Sequence, residues 1–531
     1  MAYVRILKRV RKNGEVVRYA QLVRSYRVGK KVRQEVLCNL GRVDTIEDIK
    51  KLKNIALSIL KMVNKLSGVE EENKQLSLFA KDSKEEGRAY LFKKLWERAG
   101  LDRFFKKLGK EKGINWDLNQ AIYEMVLNRL TEPASKRRLF LEWRKEHKLE
   151  GKELKLHHYY RALDVLADSK ERVEDELYNV GRNLFTREPK LIFFDTTSTY
   201  FEGNGPEGLA EYGYSKDKRS DRKQILISLA LREEGFPVYH KVWSGNEVDV
   251  KLLKRTVEEL KNRWGIKEVI WVTDRGCVSS EVLKVLVESG MKYIVGLKLR
   301  RTKVGKEVLS RAGRYQKVAD NLYVKEVYVN GERYILCFNP ERAEYERKQR
   351  EEGIRYLQKQ LERNGIGALK KGFKRFLKLN GEKVEIDWEK LREENRYDGK
   401  WIIKTNTDLL SEEVAKSYKE LWRVEEAFRN LKDVLSLRPI YHWTEKRVRG
   451  HIAICVLAYF LQTYLAALLG NGDVDKGRKL AKELVTGVKE LKAVRVNVEG
   501  DEFLLRTEVD ANTERLLKRI KVVLPPRCEK L

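Results

Sequence analysis

Apolar and polar positions recur along this chain with two different periods, and the changes of period mark its organisation. Residues 1–44 hold Val/Tyr-rich runs broken at Asn13-Gly14 and Gly29-Lys30. Asn-Gly supplies the positive φ of a tight hairpin, so this segment reads as a β-meander. A helical pattern follows from Thr45 to about Leu66, then a polar stretch, EEENKQLSLFAKDSKEEG. Helical spacing returns between about 88 and 186, with breaks at Gly113 and Pro133; LNQAIYEMVLNRL and ERVEDELYNVGRNLF are its clearest amphipathic segments.

At Lys190 the pattern turns to strands. LIFFDTTSTYF, QILISLALR, FPVYHKVWSG, KEVIWVTDRG and MKYIVGLKLR are β-rich, and helix-like VDVKLLKRTVEELKNRW and SSEVLKVLVESG separate the later ones. Three strands in series, then helix-strand-helix-strand, describe a mixed sheet covered by helices, an α/β architecture. From about 301 to 404 the rhythm is interrupted by hairpin signals at Asn330-Gly331 and Asn380-Gly381, a charged helix around 341–363 and the strand-like WIIKTN. This reads as an insertion in the sheet domain. Helical periodicity resumes at Ser411 and runs into an apolar stretch, Ile452 to Leu469. As a helix that stretch spans roughly 27 Å, but Gln462 and Thr463 near its middle favour a helix buried in a large domain over a membrane span. The expected division is a basic β-meander (1–45), a helical region (46–186), a first part of a sheet domain (187–300), an insertion (301–404), a second part (405–470) and an α/β tail (471–531).

Charge adds a partner class to this outline. The 531 residues hold 111 Lys+Arg against 80 Asp+Glu, a formal charge of +31, and the charged fraction of 36% exceeds the ~25% average. A Lys/Glu-rich thermophile surface explains many charges but not their imbalance, so a polyanion, nucleic acid first, is the expected partner. The bias is strongest at the start, where residues 1–44 hold twelve Lys/Arg and three Asp/Glu. The five cysteines, Cys38, Cys277, Cys337, Cys455 and Cys528, are odd in number and include no Cys-x-x-Cys pair. That argues against a disulfide framework or a Cys-rich zinc site and fits a reducing cytosol. MAYVRILKRVRKNG lacks the apolar core of a signal peptide.

Two strands end in an aspartate, LIFFDTT at Asp195 and VIWVTDRG at Asp274. Ligand sites in open α/β sheets gather at strand carboxyl ends. Two carboxylates there raise each other's pKa unless a cation intervenes, and hard oxygen ligands with few His favour Mg²⁺ over zinc. Taken singly, an Asp after a strand is more often a turn or cap residue. In SYKELWRVEEAFRNLKDVLSL, read as one helix, Val424, Phe428, Leu431 and Leu435 make a core stripe. Tyr418, Glu425 and Lys432 are seven apart, drift only ~20° per step and share a second face, with Arg429 one turn beyond Glu425. For that helix alone, an exposed Glu–Arg pair is the plainer reading. Trp388 and Trp401 border strand-like runs and suit a core role better than stacking on a displaced base. His157-His158 fits a helix rather than a metal site, and Asn246 and Asp249 fit a turn.

Together these residues resemble the DDE transposases of bacterial insertion sequences, in the insertion-sequence-4 superfamily and most closely its insertion-sequence-1634 group. The carrying motifs are Asp195 after an apolar strand, Asp274-Arg275, and a helix of the form Tyr-x2-Arg-x3-Glu-x6-Lys, matched by Tyr418, Glu425 and Lys432. Leu421 stands at the motif's arginine, with Arg423 and Arg429 nearby as replacements. The resemblance implies an RNase H-like fold: a mixed five-stranded sheet with flanking helices, interrupted by a β-rich insertion, plus the basic β amino terminus and helical amino-terminal domain. It implies Asp195, Asp274 and Glu425 as catalytic and metal-binding, holding two Mg²⁺ ions (Mn²⁺ as substitute) for in-line phosphoryl transfer. Arg275, Tyr418, Arg423, Arg429 and Lys432 are the implied DNA contacts. The implied partners are insertion-sequence ends and target DNA, bound by a homodimer in the synaptic complex, in the cytoplasm at the nucleoid. The alternatives are an RNase H-like nuclease or domesticated relative that cuts without integrating, and a non-catalytic architectural DNA-binding protein.

Overall fold

A computed structural model of the protein describes residues 2–10, 16–28, 31–42, 78–149, 151, 153–185, 189–247, 249–264, 269–276, 279–288, 290–300, 302–364, 376–380, 383–498 and 501–531. The helix expected over Thr45–Leu66 lies outside the described residues. In chain order the strands begin with β1 (Ala2–Val10), β2 (Val16–Val28), β3 (Lys31–Arg42) and β4 (Leu78–Glu85). Next come β5 (Leu191–Tyr200), β6 (Gln224–Arg232), β7 (Pro237–Ser244), β8 (Ile270–Thr273) and β9 (Lys292–Leu297). The 301–404 segment contributes β10 (Gln316–Ala319), β11 (Leu322–Val329), β12 (Glu332–Phe338), β13 (Leu377–Asn380), β14 (Lys383–Ile386) and β15 (Lys400–Thr405). Last are β16 (Lys492–Val498), β17 (Asp501–Arg506) and β18 (Cys528–Lys530).

The chain divides into two compact units, Met1–Glu176 with Arg449–Leu531, and Leu177–Val448. In the first, the expected meander is present, with β1, β2 and β3 antiparallel. It is not a separate sheet, however: β18, β17, β16 and β4 continue it to seven strands. Helices Gly87–Arg98, Leu101–Glu111, Leu118–Thr131 and Leu156–Asp168 follow the expected spacing. Asp117 caps one of them by accepting from the Gln120 amide at 2.9 Å, which satisfies an amide the helix start leaves open. The apolar stretch is the helix Glu445–Leu469; 89% of its most apolar window is buried inside the protein, as a core helix requires.

The second unit holds the nine-stranded sheet β10-β11-β12-β15-β9-β8-β5-β6-β7. Its centre is the expected mixture, with β5 antiparallel to β6, β6 antiparallel to β7, and β5, β8 and β9 parallel in that order. The expectation of five strands is corrected here. Strands β15, β12, β11 and β10 of the insertion extend the same sheet, because β15 pairs antiparallel with β9 and passes the edge outward. One face is sealed by helices Asp249–Trp264 and Ser280–Glu288: Leu253, Val257, Leu260, Val282 and Leu286 pack on Ile192, Phe194, Ala230, Trp271 and Val295. Side chains alternate along a strand, so Phe193, Asp195, Ile294 and Gly296 point to the other face. That face carries helices Ser411–Lys419, over β8 and β9, and Trp422–Arg429, over β5 and β6.

Candidate active site

Strand register brings the two aspartates together. The parallel pairing joins Phe194 to Thr273, so the next residue on each strand, Asp195 on one and Asp274 on the other, sits beside its counterpart. Apolar β-branched and aromatic residues drive both strands into the core. Asp274 follows the last residue of β8, whereas Asp195, expected at a strand end, lies in the middle of β5, and both side chains fall on the helix-covered face. Asp195 remains 22% exposed. Its Oδ1 accepts from the Thr196 amide at 2.7 Å and lies 4.0 Å from the Lys216 ammonium. Lys216 comes from the loop between β5 and β6 and is fixed by donating to the Thr196 carbonyl at 2.5 Å and hydroxyl at 2.9 Å.

Asp274 is oriented by Tyr418, whose hydroxyl donates to Oδ1 at 2.9 Å. Burial, reinforced by the Asp274 charge and this hydrogen bond, pushes the Tyr418 hydroxyl far above the ordinary phenol range, so it acts as a fixed donor. The contact depends on Gly296 of β9, where an added Cβ would stand 2.1 Å from the Tyr418 hydroxyl oxygen. Tyr418 therefore serves an aspartate in this structure, whereas the sequence pointed it towards a phosphate.

Glu425 lies on the short helix Trp422–Arg429 over β5, exposed and without an ion pair or side-chain hydrogen bond among the described residues. The single continuous helix expected through Tyr418, Glu425 and Lys432 is corrected. Ser411–Lys419 ends, Leu421 and Val424 amides bond three residues back to Tyr418 and Leu421, and Asn430–Val434 continues as a π-helical turn. These tighter and wider turns break the seven-residue face, so the three motif residues are positioned by separate elements. Leu421 is buried, filling with packing the position where the motif carries arginine. Arg423 bonds Glu420 at 2.7 Å and stacks over Trp422; Arg429 and Arg275 are exposed and carry no ion pair among the described residues.

Lys432 is held rather than free. Its ammonium donates to Asp217 at 2.7 Å, and the same Asp217 oxygen accepts from Arg438 at 2.7 Å, while Arg438 also reaches Asp433 at 2.8 Å. Burial lowers the Lys432 pKa, with Asp217 opposing the shift. Sequence reasoning missed Lys216, Asp217 and Arg438. The available signal was the charged run SKDKRSDRK, dense in both signs between two strands that are otherwise apolar. Trp388, expected in a core, is 53% exposed, whereas Trp401 is half-buried on β15. Asn246 accepts from Ser244 at 2.9 Å in a turn, and His158 stacks on Trp116 within its helix, as expected of both.

Asp195, Asp274 and Glu425 are hard-oxygen donors of the kind Mg²⁺ or Mn²⁺ takes, yet their possible ligand atoms do not all lie within 4.8 Å of one another. Among the described residues, the group whose possible ligand atoms all lie within 4.8 Å of one another is a different one, Glu85, Glu132 and His147 in the first unit. There the Arg88 guanidinium already bonds Glu85 and, at 3.2 Å, Glu132, so the protein supplies that cluster's cation itself.

Residues 186–461, more than half of the chain, match the family described as transposase DDE domain. Residues 4–72 match the IS1634 family transposase, N-terminal domain. No curated protein matches the chain. Among solved structures it is similar to the piggyBac transposase in a cryo-EM synaptic complex with hairpin DNA, at 11% identity over 70% of this chain and 71% of that one, with a TM-score of 0.37.

Proposed function

The chain belongs to the DDE transposases, in the IS1634 group, and on that premise we propose that it cuts the ends of its own insertion sequence and joins them to target DNA at Asp195, Asp274 and Glu425. The observation that carries this assignment is the parallel register setting Asp195 beside Asp274 under the helix that bears Glu425. The order β7-β6-β5-β8-β9, antiparallel on one side of β5 and parallel on the other, supports an RNase H-like core. The family works with divalent metal, and two Mg²⁺ ions held here would supply Lewis-acid activation of a water or DNA 3′-hydroxyl and of the leaving oxygen. Asp195, Asp274 and Glu425 would hold them. Tyr418 keeps one Asp274 oxygen turned in a fixed direction, the Thr196 amide does the same for Asp195, and Lys216 adds a positive charge 4.0 Å from that oxygen. Phosphate contacts are proposed for Arg275 and Arg429, which are exposed, for Arg423, and for Lys432 with Arg438. Binding of element ends by the basic meander, assembly as a homodimer on two ends, and action in the cytoplasm at the nucleoid complete the reading.

The test is cleavage of the element's own end DNA with Mg²⁺. Asp195→Ala, Asp274→Ala and Glu425→Ala should each abolish it while leaving end binding largely intact. Retained cleavage in any one of the three removes that residue from the assignment.

A further inference from the structure

The seven-stranded sheet is joined at its middle by a weak seam. β2 and β3 pair over most of their lengths, and β17 pairs with three residues of β18. Between β3 and β18 the ladder is a single parallel pair, Asn39 with Glu529. One ion pair, Arg527 with Glu35 at 3.5 Å, also crosses it. The residues just before that ladder pair are Cys38 and Cys528, both buried, with their sulfurs 2.7 Å apart. Unbonded heavy atoms rest at roughly 3.5–4.0 Å, so the fold presses these two sulfurs closer than contact. They pack among the buried apolar residues Ala20, Leu22, Leu40, Val496 and Phe503. The other described cysteines, Cys337 and Cys455, are buried in different elements.

We propose that Cys38 and Cys528 are oxidised to a disulfide that clips the amino-terminal meander to the strand beside it. The oxidant is a small-molecule disulfide. One cysteine thiolate attacks it and releases a thiol; the second thiolate attacks the mixed disulfide and releases the other. Two cysteine thiols are oxidised, one small disulfide is reduced to two thiols, and the two S–H protons pass to the departing thiolates. Access comes from local opening of β18, a three-residue strand held to β3 by that one ladder pair. The link joins positions 490 residues apart, so it removes much unfolded-state entropy.

Full-length protein incubated with oxidised glutathione, then denatured, alkylated and digested, should yield the Cys38 and Cys528 peptides as one species two hydrogens lighter than their sum. Dithiothreitol should separate it, and Cys337 and Cys455 should be recovered alkylated. Recovery of Cys38 and Cys528 as separate alkylated or glutathionylated peptides overturns the proposal. In a second measurement, oxidation should raise the melting midpoint by on the order of several degrees. That rise should vanish in both Cys38→Ser and Cys528→Ser; a rise that persists in either variant refutes the link.

Discussion

Asp217→Asn tests whether the charged loop between β5 and β6 holds the motif lysine. One Asp217 oxygen accepts from Lys432 and from Arg438, each at 2.7 Å, and the three side chains are 7%, 10% and 29% exposed. Asparagine keeps an acceptor of the same shape and removes the charge, leaving two largely buried cations side by side. Breaking a buried pair in this way costs about 3–5 kcal/mol. Arg438 keeps Asp433 and is nearly a third exposed, so the lower end applies, about 3 kcal/mol. A folding unit the size of Leu177–Val448 has an unfolding entropy near ~0.6 kcal/mol/K, so the midpoint should fall by roughly 5 °C in calorimetry. The same change frees cationic charge for phosphate. End-DNA affinity should rise, and the slope of log K against log salt should steepen by about one. A midpoint within about 1 °C of the parent protein, together with an unchanged salt slope, refutes the idea that Asp217 holds these cations.

Two further outcomes follow from the site and the core. Tyr418→Phe removes the donor to Asp274 with no loss of volume, so cleavage at limiting Mg²⁺ should fall by roughly 10–100-fold and recover as the metal is raised; equal activity across a metal titration contradicts a positioning role. Lys136 is buried, and burial first, then Arg129, depresses its pKa to about 7 against the opposing Cys455. The unfolded chain then binds the proton more tightly, so stability should rise as pH climbs from about 7 towards the unfolded value near ~10.4. Lys136→Met should flatten that slope and stabilise the protein below pH 7 by up to about 4 kcal/mol in urea titrations; parallel slopes in the two proteins would show that Lys136 is not the group titrating.

The pattern of the chain carried the centre of the sheet well and its margins poorly. β8 was legible as a short apolar run with an acid, Asp274, just past its end, whereas β5 was legible from the apolar run LIFF but continues through Asp195 to Tyr200. Hairpin signals at Asn330-Gly331 and Asn380-Gly381 marked strands correctly, with β11–β12 and β13–β14 antiparallel about them. A turn residue fixes only the next strand, however, and it says nothing about β15 joining β9. The seven-stranded sheet was hidden for the same reason, since β3 and β18 are neighbours only after folding. Periodicity also overran its range at Tyr418–Lys432. An apolar stripe persists across Val424, Phe428 and Leu431 because all three are buried, yet the backbone beneath it changes hydrogen-bond spacing twice. Burial sets the stripe; it does not guarantee one helix.

The same break bears on how the proposed site works. Asp195 and Asp274 are anchored twice, once by a central sheet and once by hydrogen bonds from the Thr196 amide and the Tyr418 hydroxyl. Glu425 has neither support. It stands exposed on the eight-residue helix Trp422–Arg429, bounded by tight turns before it and a π-helical turn after it. π-helical turns inside helices gather at functional sites, because they let a side chain be re-aimed without dismantling the core stripe on the other side. Val424, Ala427 and Phe428 keep that stripe packed on the sheet while Glu425 faces solvent. On the proposed assignment, two anchored carboxylates and one unpaired carboxylate suit a reaction in which the attacking group changes from water to a DNA 3′-hydroxyl. Within a chain of formal charge +31, such a site must also resist capture of its acids by the protein's own cations. Asp217 contributes by pairing with Lys432 and Arg438, which takes two cations out of the chain's positive surplus.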